Sequence, residues 1–190
     1  MSSKTKTFSK NDFDSDSGMM TSVWGPSMWH SLHTISFNYP VKPTQQQQDK
    51  YYRFFMSLKD VLPCKYCRQN LPKNMAAVEK SRNLSLKKAL LSRAKLSRWV
   101  YYLHNQVNCM LGKTNKLTYK QVRNRYENFR ARCSLKDSEK ELEKCKKEQI
   151  KEKGCTEPLL GIKSKCILMT VPKNKKCESF IMHPKCMVKK

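Results

Sequence analysis

Apolar residues recur three or four positions apart through residues 44–62, which is the period of an α-helix with one buried face. Thr44 is the expected N-cap of this helix. Pro63 ends the pattern, because a residue that precedes proline avoids helical backbone angles. The sequence therefore predicts an amphipathic helix that packs on a core. Its apolar positions are Tyr51, Tyr52, Phe54, Phe55, Leu58, Val61 and Leu62.

The rest of the pattern is also helical. Pro26 is expected to open a helix, since proline suits the first helical position, and Thr118 is expected to cap another. Strand-like alternation is nearly absent before Ile162, so the predicted fold class is all-α. The further predicted helices cover residues 26–37, 64–80, 84–111 and 119–132.

Composition divides the chain of 190 residues into three parts. Residues 1–20 are rich in Ser, Lys, Asp and Asn and are predicted to be a disordered arm. Residues 21–133 carry the helical pattern of one domain of ordinary size. Residues 134–190 form a basic, cysteine-containing extension whose structure the pattern does not assign.

Targeting signals are not evident in the sequence. No apolar run approaches the roughly 20 residues that span a bilayer, and the polar start lacks the apolar core of a signal peptide. A soluble protein made in the cytosol, with no membrane partner, is therefore expected. Nine cysteines are unusual in that reducing compartment unless disulfide chemistry is the protein's own activity.

Cys64 and Cys67 form a C-x-x-C motif where a helix is predicted to begin. Two thiols one turn apart can close a small, exchangeable disulfide. The helix N-terminus and the cations Lys65 and Arg68 are expected to favour a thiolate there. No second cysteine or histidine pair stands at zinc spacing, so no metal is predicted. Helical patterns on both sides of the motif also argue against a thioredoxin fold, which needs a preceding strand.

Two further segments carry paired aromatic and polar residues. Trp29 and His33 are four positions apart in W-G-P-x-x-W-x-x-L-H, which begins at Trp24, and His104 and Asn108 are four apart in H-N-x-V-N. Each segment alone is typical of ordinary helix packing. The order W-x-x-x-H, P-C-x-x-C, H-N-x-V-N, L-G-K, over residues 23–133, resembles the ERV/ALR family of FAD-linked sulfhydryl oxidases, and most of all its members from large DNA viruses.

That resemblance implies a four-helix bundle with a short fifth helix packed across it, binding FAD at its mouth. Lys113 would offer a cation to the diphosphate, and Tyr126 would stack on the adenine. The residues that the resemblance assigns to the cofactor are Trp24, Gly25, Trp29, His33, Cys67, His104, Asn105, Asn108, Lys113 and Tyr126.

The resemblance also implies a reaction. A reduced protein thiol attacks Cys64, Cys67 leaves and reduces FAD, and O2 takes the electrons to give hydrogen peroxide. The expected partners are therefore protein thiols and O2, with a homodimer as the expected assembly. The host cytoplasm, at the viral factory, is the expected location, and the virion is a second one.

The chain departs from the family pattern at one cysteine pair. Cellular members clip the fifth helix to the bundle with a disulfide. Here Cys133 matches the second cysteine, whereas Tyr119 or a neighbour stands at the position of the first. Two alternatives stay open, a disulfide between Cys109 and Cys133 or two free thiols.

The net charge of +24 supports an alternative function. Residues 80–98 interleave cations with leucines, which is typical of the solvated face of an amphipathic helix and also fits unspecific attraction to nucleic acid. The alternative is a basic, disulfide-bonded nucleic-acid-binding or virion structural protein without oxidase activity.

Four cysteines follow Gly154 without the close pairs that zinc modules use. Disulfides or exchangeable thiols are therefore predicted in the extension. By resemblance, a mobile cysteine pair in the extension, in which Cys177 and Cys186 come last, would carry electrons from bulky substrates to the C-x-x-C motif, and a disulfide-stapled docking module is the alternative.

Overall fold

The computed structural model describes residues 9–113, 117–131, 155, 165–167, 169–172, 174–175 and 183. These residues form seven α-helices and no β-strand, which confirms the all-α prediction. The helices are α1 (Lys10–Phe13), α2 (Thr21–Phe37), α3 (Gln45–Val61), α4 (Lys65–Arg82), α5 (Leu86–Ala89), α6 (Arg93–Met110) and α7 (Tyr119–Glu127).

Side-chain caps start α3 and α7 where the sequence predicts them. The Thr44 hydroxyl accepts the Gln47 N–H, and the Gln47 side chain accepts the Thr44 N–H in return. Thr118 and Gln121 form the same reciprocal pair at α7. Caps of this kind contribute about 1 kcal/mol each, so these two starts are set locally.

The prediction for Pro26 is wrong in detail. Pro26 lies inside α2, which begins at Thr21, rather than opening the helix. Its missing N–H leaves the carbonyl four residues earlier without a helical donor, and that carbonyl belongs to the exposed Ser22, where water can satisfy it. At α4 the N-cap is Cys64, so this helix begins at the C-x-x-C motif, where the sequence predicts it, and Pro63 precedes it.

The predicted long helix over 84–111 is two helices, α5 and α6. The Ser92 hydroxyl accepts the Lys95 N–H and starts α6 anew. The Leu90 carbonyl accepts the buried Tyr39 hydroxyl at 2.8 Å, so it is engaged outside its own helix. The fifth predicted helix is also shorter than expected, ending at Glu127.

The bundle is built around α6. This helix packs against α2, α4, α5 and α7, while α3 packs against α4 and α5. Trp99 of α6 meets Phe55 of α3 edge-on, with ring centroids 5.5 Å apart. The four long helices therefore enclose one core, and α7 crosses α2 and α6 as the short extra helix. The largest fully buried side chains are Tyr39, Phe55, Val78, Leu90, Leu96, Trp99, Val100 and Leu103.

Tyr119 fastens α7 without a covalent bond. Its hydroxyl is 2.8 Å from the Ser97 hydroxyl of α6, and its ring stacks on Phe37 of α2. The Tyr101 hydroxyl donates to the Leu117 carbonyl at 2.9 Å, just before the helix. Cys109 carries a free thiol, so the disulfide alternative for Cys109 is not what the structure shows.

Disorder was predicted for residues 1–20, but residues 9–20 contain the one-turn helix α1 and a segment that leads to α2. Residues 1–8 lie outside the described part. So do Cys133 and most of the extension, including Cys177 and Cys186, although Cys155 is disulfide-bonded and Cys166 is a free thiol. Within the described ranges, no helix is long and apolar enough to cross a membrane.

Candidate functional site

The two motif cysteines lie at the start of α4. Cys64 is the N-cap, and its sulfur accepts the Cys67 N–H at 3.2 Å. Both cysteines are free thiols and half-buried, and Cys67 packs against the hydrophobic core together with Trp24 and Trp29. Cys67 is therefore the inner sulfur of the pair.

The pKa of the Cys67 thiol is raised to about 11. Burial is the main cause, followed by the hydrogen bond and the charge of the Cys64 sulfur, and these outweigh the opposing influence of Arg68. The prediction that a thiolate forms readily is therefore wrong for Cys67 in the reduced pair. The sequence places two favourable cations nearby, but it does not reveal how far the core shields the inner sulfur from water.

The segment before α2 lies against the redox motif. The Met19 N–H donates to the Pro63 carbonyl at 2.9 Å, and the Trp24 indole N–H donates to the Met19 carbonyl at 3.0 Å. A Cβ on Gly18 would lie 2.9 Å from the Pro63 oxygen and 3.2 Å from the Cys64 Cα. Only glycine allows so close an approach, so this contact is part of the site, although nothing in the sequence pattern indicates it.

An aromatic and imidazole cluster joins α2, α6 and α7. The Trp29 ring stacks on the His104 ring with centroids 4.2 Å apart and planes 3° from parallel. The His33 Nε2 is 3.1 Å from the His104 Nδ1, and the His33 ring stacks on Tyr126 at 5.1 Å. The structure therefore brings together four of the predicted cofactor residues, Trp29, His33, His104 and Tyr126.

His30 and Phe37 extend this cluster and were missed by the sequence reasoning. The Tyr126 ring stacks on His30 at 5.5 Å and on Phe37 at 5.3 Å. Their spacing of three and four residues from His33 places all three on one face of α2, which is a signal that the sequence does contain.

Both central histidines are neutral at pH 7. Burial lowers the pKa of His33 to about 3, with a further contribution from the nearby His104. Burial also lowers the pKa of His104 to about 4, helped by the positive charge of Lys113. Burial raises the pKa of the Tyr126 hydroxyl, which therefore stays protonated. The cluster thus presents uncharged donors and acceptors.

One buried atom of the cluster lacks a partner. The His33 Nδ1 makes no hydrogen bond to any described residue, although the side chain is 3% exposed. An unpaired buried polar atom costs about 1–3 kcal/mol. A ligand that hydrogen-bonds this nitrogen would remove that cost.

Lys113 is positioned by the end of α6. Its N–H donates to the Asn108 carbonyl at 2.8 Å, the Gly112 N–H donates to the Cys109 carbonyl, and Gly112 has a φ of 67°. This is the Schellman arrangement, in which glycine adopts the left-handed conformation after the last helical turn. It directs the chain back so that the Lys113 charge acts on His104.

The other predicted residues are placed less centrally. Asn108 follows His104 by four positions and shares its face of α6, whereas Asn105 is turned about 100° around the helix. Asn105 instead lines a pocket of about 260 Å³ between α4 and α6, together with Arg82 and Cys109. A Cβ on Gly25 would meet nothing within 4 Å, so no close contact requires glycine there. Among the residues that can be described, no group of three or more His, Cys, Asp or Glu side chains is placed to hold a metal ion.

The fold and this site define a helical protein that carries a dithiol and a cluster of neutral imidazole and aromatic side chains. The sequence profile of the Erv1 / Alr family matches residues 26–127, more than half of the chain. The chain therefore belongs to the Erv1/Alr family, as its motifs predicted.

The chain is similar to both viral and cellular proteins. The chain is 34% identical to the "Probable FAD-linked sulfhydryl oxidase" of Acanthamoeba polyphaga mimivirus over 55% of this chain and 68% of that protein. It is 32% identical to the "Mitochondrial FAD-linked sulfhydryl oxidase ERV1" of Saccharomyces cerevisiae over 47% of this chain and 43% of that one. It thus spans less than half the length of the yeast relative.

Among solved structures, the chain is similar to the FAD binding domain of Erv1 from Saccharomyces cerevisiae. The TM-score is 0.48 and the sequence identity is 28%, and the match covers 57% of this chain and 94% of that chain.

Proposed function

We propose that this chain is an FAD-linked sulfhydryl oxidase that forms disulfide bonds in protein substrates through Cys64 and Cys67. The observation that carries the proposal is the position of this dithiol. It caps α4, with its inner sulfur against the same core as Trp24 and Trp29, inside a domain that belongs to the Erv1/Alr family.

The residues of the cluster fit the cofactor by their chemistry. The unpaired His33 Nδ1 offers a hydrogen bond, and the neutral imidazoles suit an uncharged ring system. Tyr126 supplies a stacking face, and Lys113 supplies a cation for the diphosphate. When bound, FAD supplies the two-electron acceptor that returns the dithiol to the disulfide and passes the electrons to O2, giving hydrogen peroxide.

Cys64 and Cys67 perform the thiol–disulfide exchange with the substrate. A substrate thiolate attacks the sulfur of Cys64 in the disulfide, so that a mixed disulfide forms and the bond between Cys64 and Cys67 breaks. Cys67 takes up a proton as it leaves, because burial disfavours its thiolate. A second substrate thiol then displaces Cys64. The substrate loses two electrons and two protons, and the cysteine pair gains them.

The proposal includes partners and a location. Reduced protein thiols are the substrates and O2 is the final acceptor, and the enzyme works as a homodimer. The proposed location is the host cytoplasm, at the viral factory, and the virion, and what supports it is only that one relative is a viral protein. The alternative of a nucleic-acid-binding or structural protein without activity rests on the net charge of +24, and family membership does not favour it.

The test compares two cysteine variants of the purified protein. The wild type is expected to show a flavin absorption spectrum and to consume O2 when given dithiothreitol. Cys67→Ser should keep the flavin, because most of the residues proposed to hold it lie on α2, α6 and α7, and should lose turnover. Cys109→Ser is the matched control, since this exposed free thiol lies outside the motif, and it should retain turnover. Near-normal peroxide formation by Cys67→Ser would refute the proposed electron path.

A further inference from the structure

Three large apolar side chains stand exposed around the outer end of the redox motif. Met19 belongs to the segment before α2, Val61 is the last residue of α3, and Tyr66 lies between the two cysteines. They are 69%, 66% and 74% exposed, respectively. Isolated exposed apolar residues are ordinary. Here, however, Val61 and Tyr66 lie within three positions of Cys64 in the chain, and the backbone of Met19 is hydrogen-bonded to the residue before it.

The position of Met19 in this group is held by backbone contacts. Both its N–H and its carbonyl are hydrogen-bonded, to the Pro63 carbonyl and the Trp24 indole, while its side chain stays exposed. The neighbouring Gly18 passes so close to Cys64 that a Cβ would sit 3.2 Å from the Cys64 Cα. These backbone contacts therefore hold Met19 next to Cys64. Met19 lies outside the segment that matches the family profile.

Charge does not single out a partner for this surface. The acidic Asp60 precedes Val61, and the basic Lys65 and Arg68 follow Cys64, so both signs surround the thiol. Apolar contact is the property that Met19, Val61 and Tyr66 share.

The occupant of the surface follows from the reaction, and this step rests on the proposed function. In a mixed disulfide the substrate sulfur lies about 2 Å from the Cys64 sulfur. The substrate residues on either side of that cysteine must then lie against the motif's outer end. We propose that Met19, Val61 and Tyr66 form the docking surface for a reduced protein segment that carries apolar residues beside its cysteine.

The first experiment measures docking without any flavin turnover. In the Cys67→Ser background, Cys64 reacts with a peptide whose single cysteine is activated as a 2-pyridyl disulfide. The Cys64 thiolate attacks the peptide sulfur, the mixed disulfide forms, and pyridine-2-thione leaves. Mass spectrometry after proteolysis confirms that Cys64 is the modified residue. Two peptides are compared, with leucines or with serines flanking the cysteine.

The peptide with leucines is expected to react about five-fold faster, which corresponds to burial of one or two methylene groups. Adding Met19→Ser and Tyr66→Ser should bring the ratio of the two rates close to one. Gly18→Ala, which displaces the segment bearing Met19, should lower the ratio as well. Val41→Ser is the matched control. Val41 is 60% exposed and lies before α3, about 25 Å of helix away from Cys64, so its substitution should leave the ratio unchanged.

The second experiment uses the complete flavoenzyme. Met19→Ser with Tyr66→Ser should raise the KM for the reduced leucine peptide about five-fold and leave kcat and the oxidation of dithiothreitol unchanged. Equal rates with both peptides, or a ratio that persists in the double variant, would overturn the docking proposal. The proposal would also be overturned if the wild type were a dimer and the double variant were a monomer with an unchanged ratio of rates. The surface would then join two copies of the chain. Absence of dithiothreitol turnover would count against the proposed function alone, since the trapping reaction needs no flavin.

Discussion

The histidine pair at the centre of the site should make the stability of the domain strongly dependent on pH. His33 and His104 have pKa values of about 3 and about 4 in the folded protein, against an ordinary value of 6.5. The unfolded chain therefore binds more protons than the folded one below neutral pH. Stability is full above the unfolded pKa and is lost as the pH falls through it toward the folded values.

The magnitude follows from these values. Between about pH 7.5 and pH 5, each histidine is expected to lower the free energy of unfolding by about 2 kcal/mol, and the pair by about 4 kcal/mol. Carboxylates contribute little in this window, since most remain ionised in both states. A loss of this size is a large part of the roughly 5–15 kcal/mol that stabilises a typical domain.

Urea unfolding, followed by tryptophan fluorescence at both pH values, measures this loss. His33→Phe and His104→Phe keep an aromatic ring and remove one titrating group each, so each variant should show about half of the wild-type loss. The double variant should lose less stability than either single variant, and the remaining loss is expected from His30, whose pKa is also lowered by burial. A wild type with equal stability at both pH values, or single variants with the full wild-type loss, would refute the assignment of two neutral buried histidines.

Three further predictions concern the ends of α4 and α6. Gly112→Ala should lower the free energy of unfolding by about 1 kcal/mol, because an alanine at a φ of 67° is strained, and a denaturant titration measures this. Lys113→Met should weaken FAD binding several-fold with unchanged thermal stability of the flavin-free protein, and a fluorescence titration with FAD that matched the wild type would rule out the diphosphate role. Alkylation of Cys67 in the reduced protein should reach half its maximal rate near pH 11, and at a lower pH in Cys64→Ala, since the Cys64 sulfur helps to raise that pKa. An unchanged alkylation profile would leave burial as the sole cause.

Interactions between residues close in sequence determine several of the features that the sequence predicted. Thr44 and Thr118 cap their helices through residues only three positions away, so short-range hydrogen bonds decide those starts. The same holds for Cys64 and Cys67, which a helical turn must bring together. The pairs Trp29 with His33 and His104 with Asn108 share a helix face for the same reason.

Other features depended on contacts between distant segments. The break before α6 coincides with a buried hydrogen bond from Tyr39 to the Leu90 carbonyl, 51 residues away, which no helical period contains. The approach of Gly18 to Cys64 likewise depends on the course of the chain before α2.

The acid–base character of the site was also decided by tertiary structure. The sequence alone determined which thiols and imidazoles are available and on which helix face each stands. Packing then determined that His33 meets His104 across 71 residues and that Cys67 is shielded by the core. A pKa responds to the water and charge around a group, and those surroundings exist only after α2, α4, α6 and α7 have assembled.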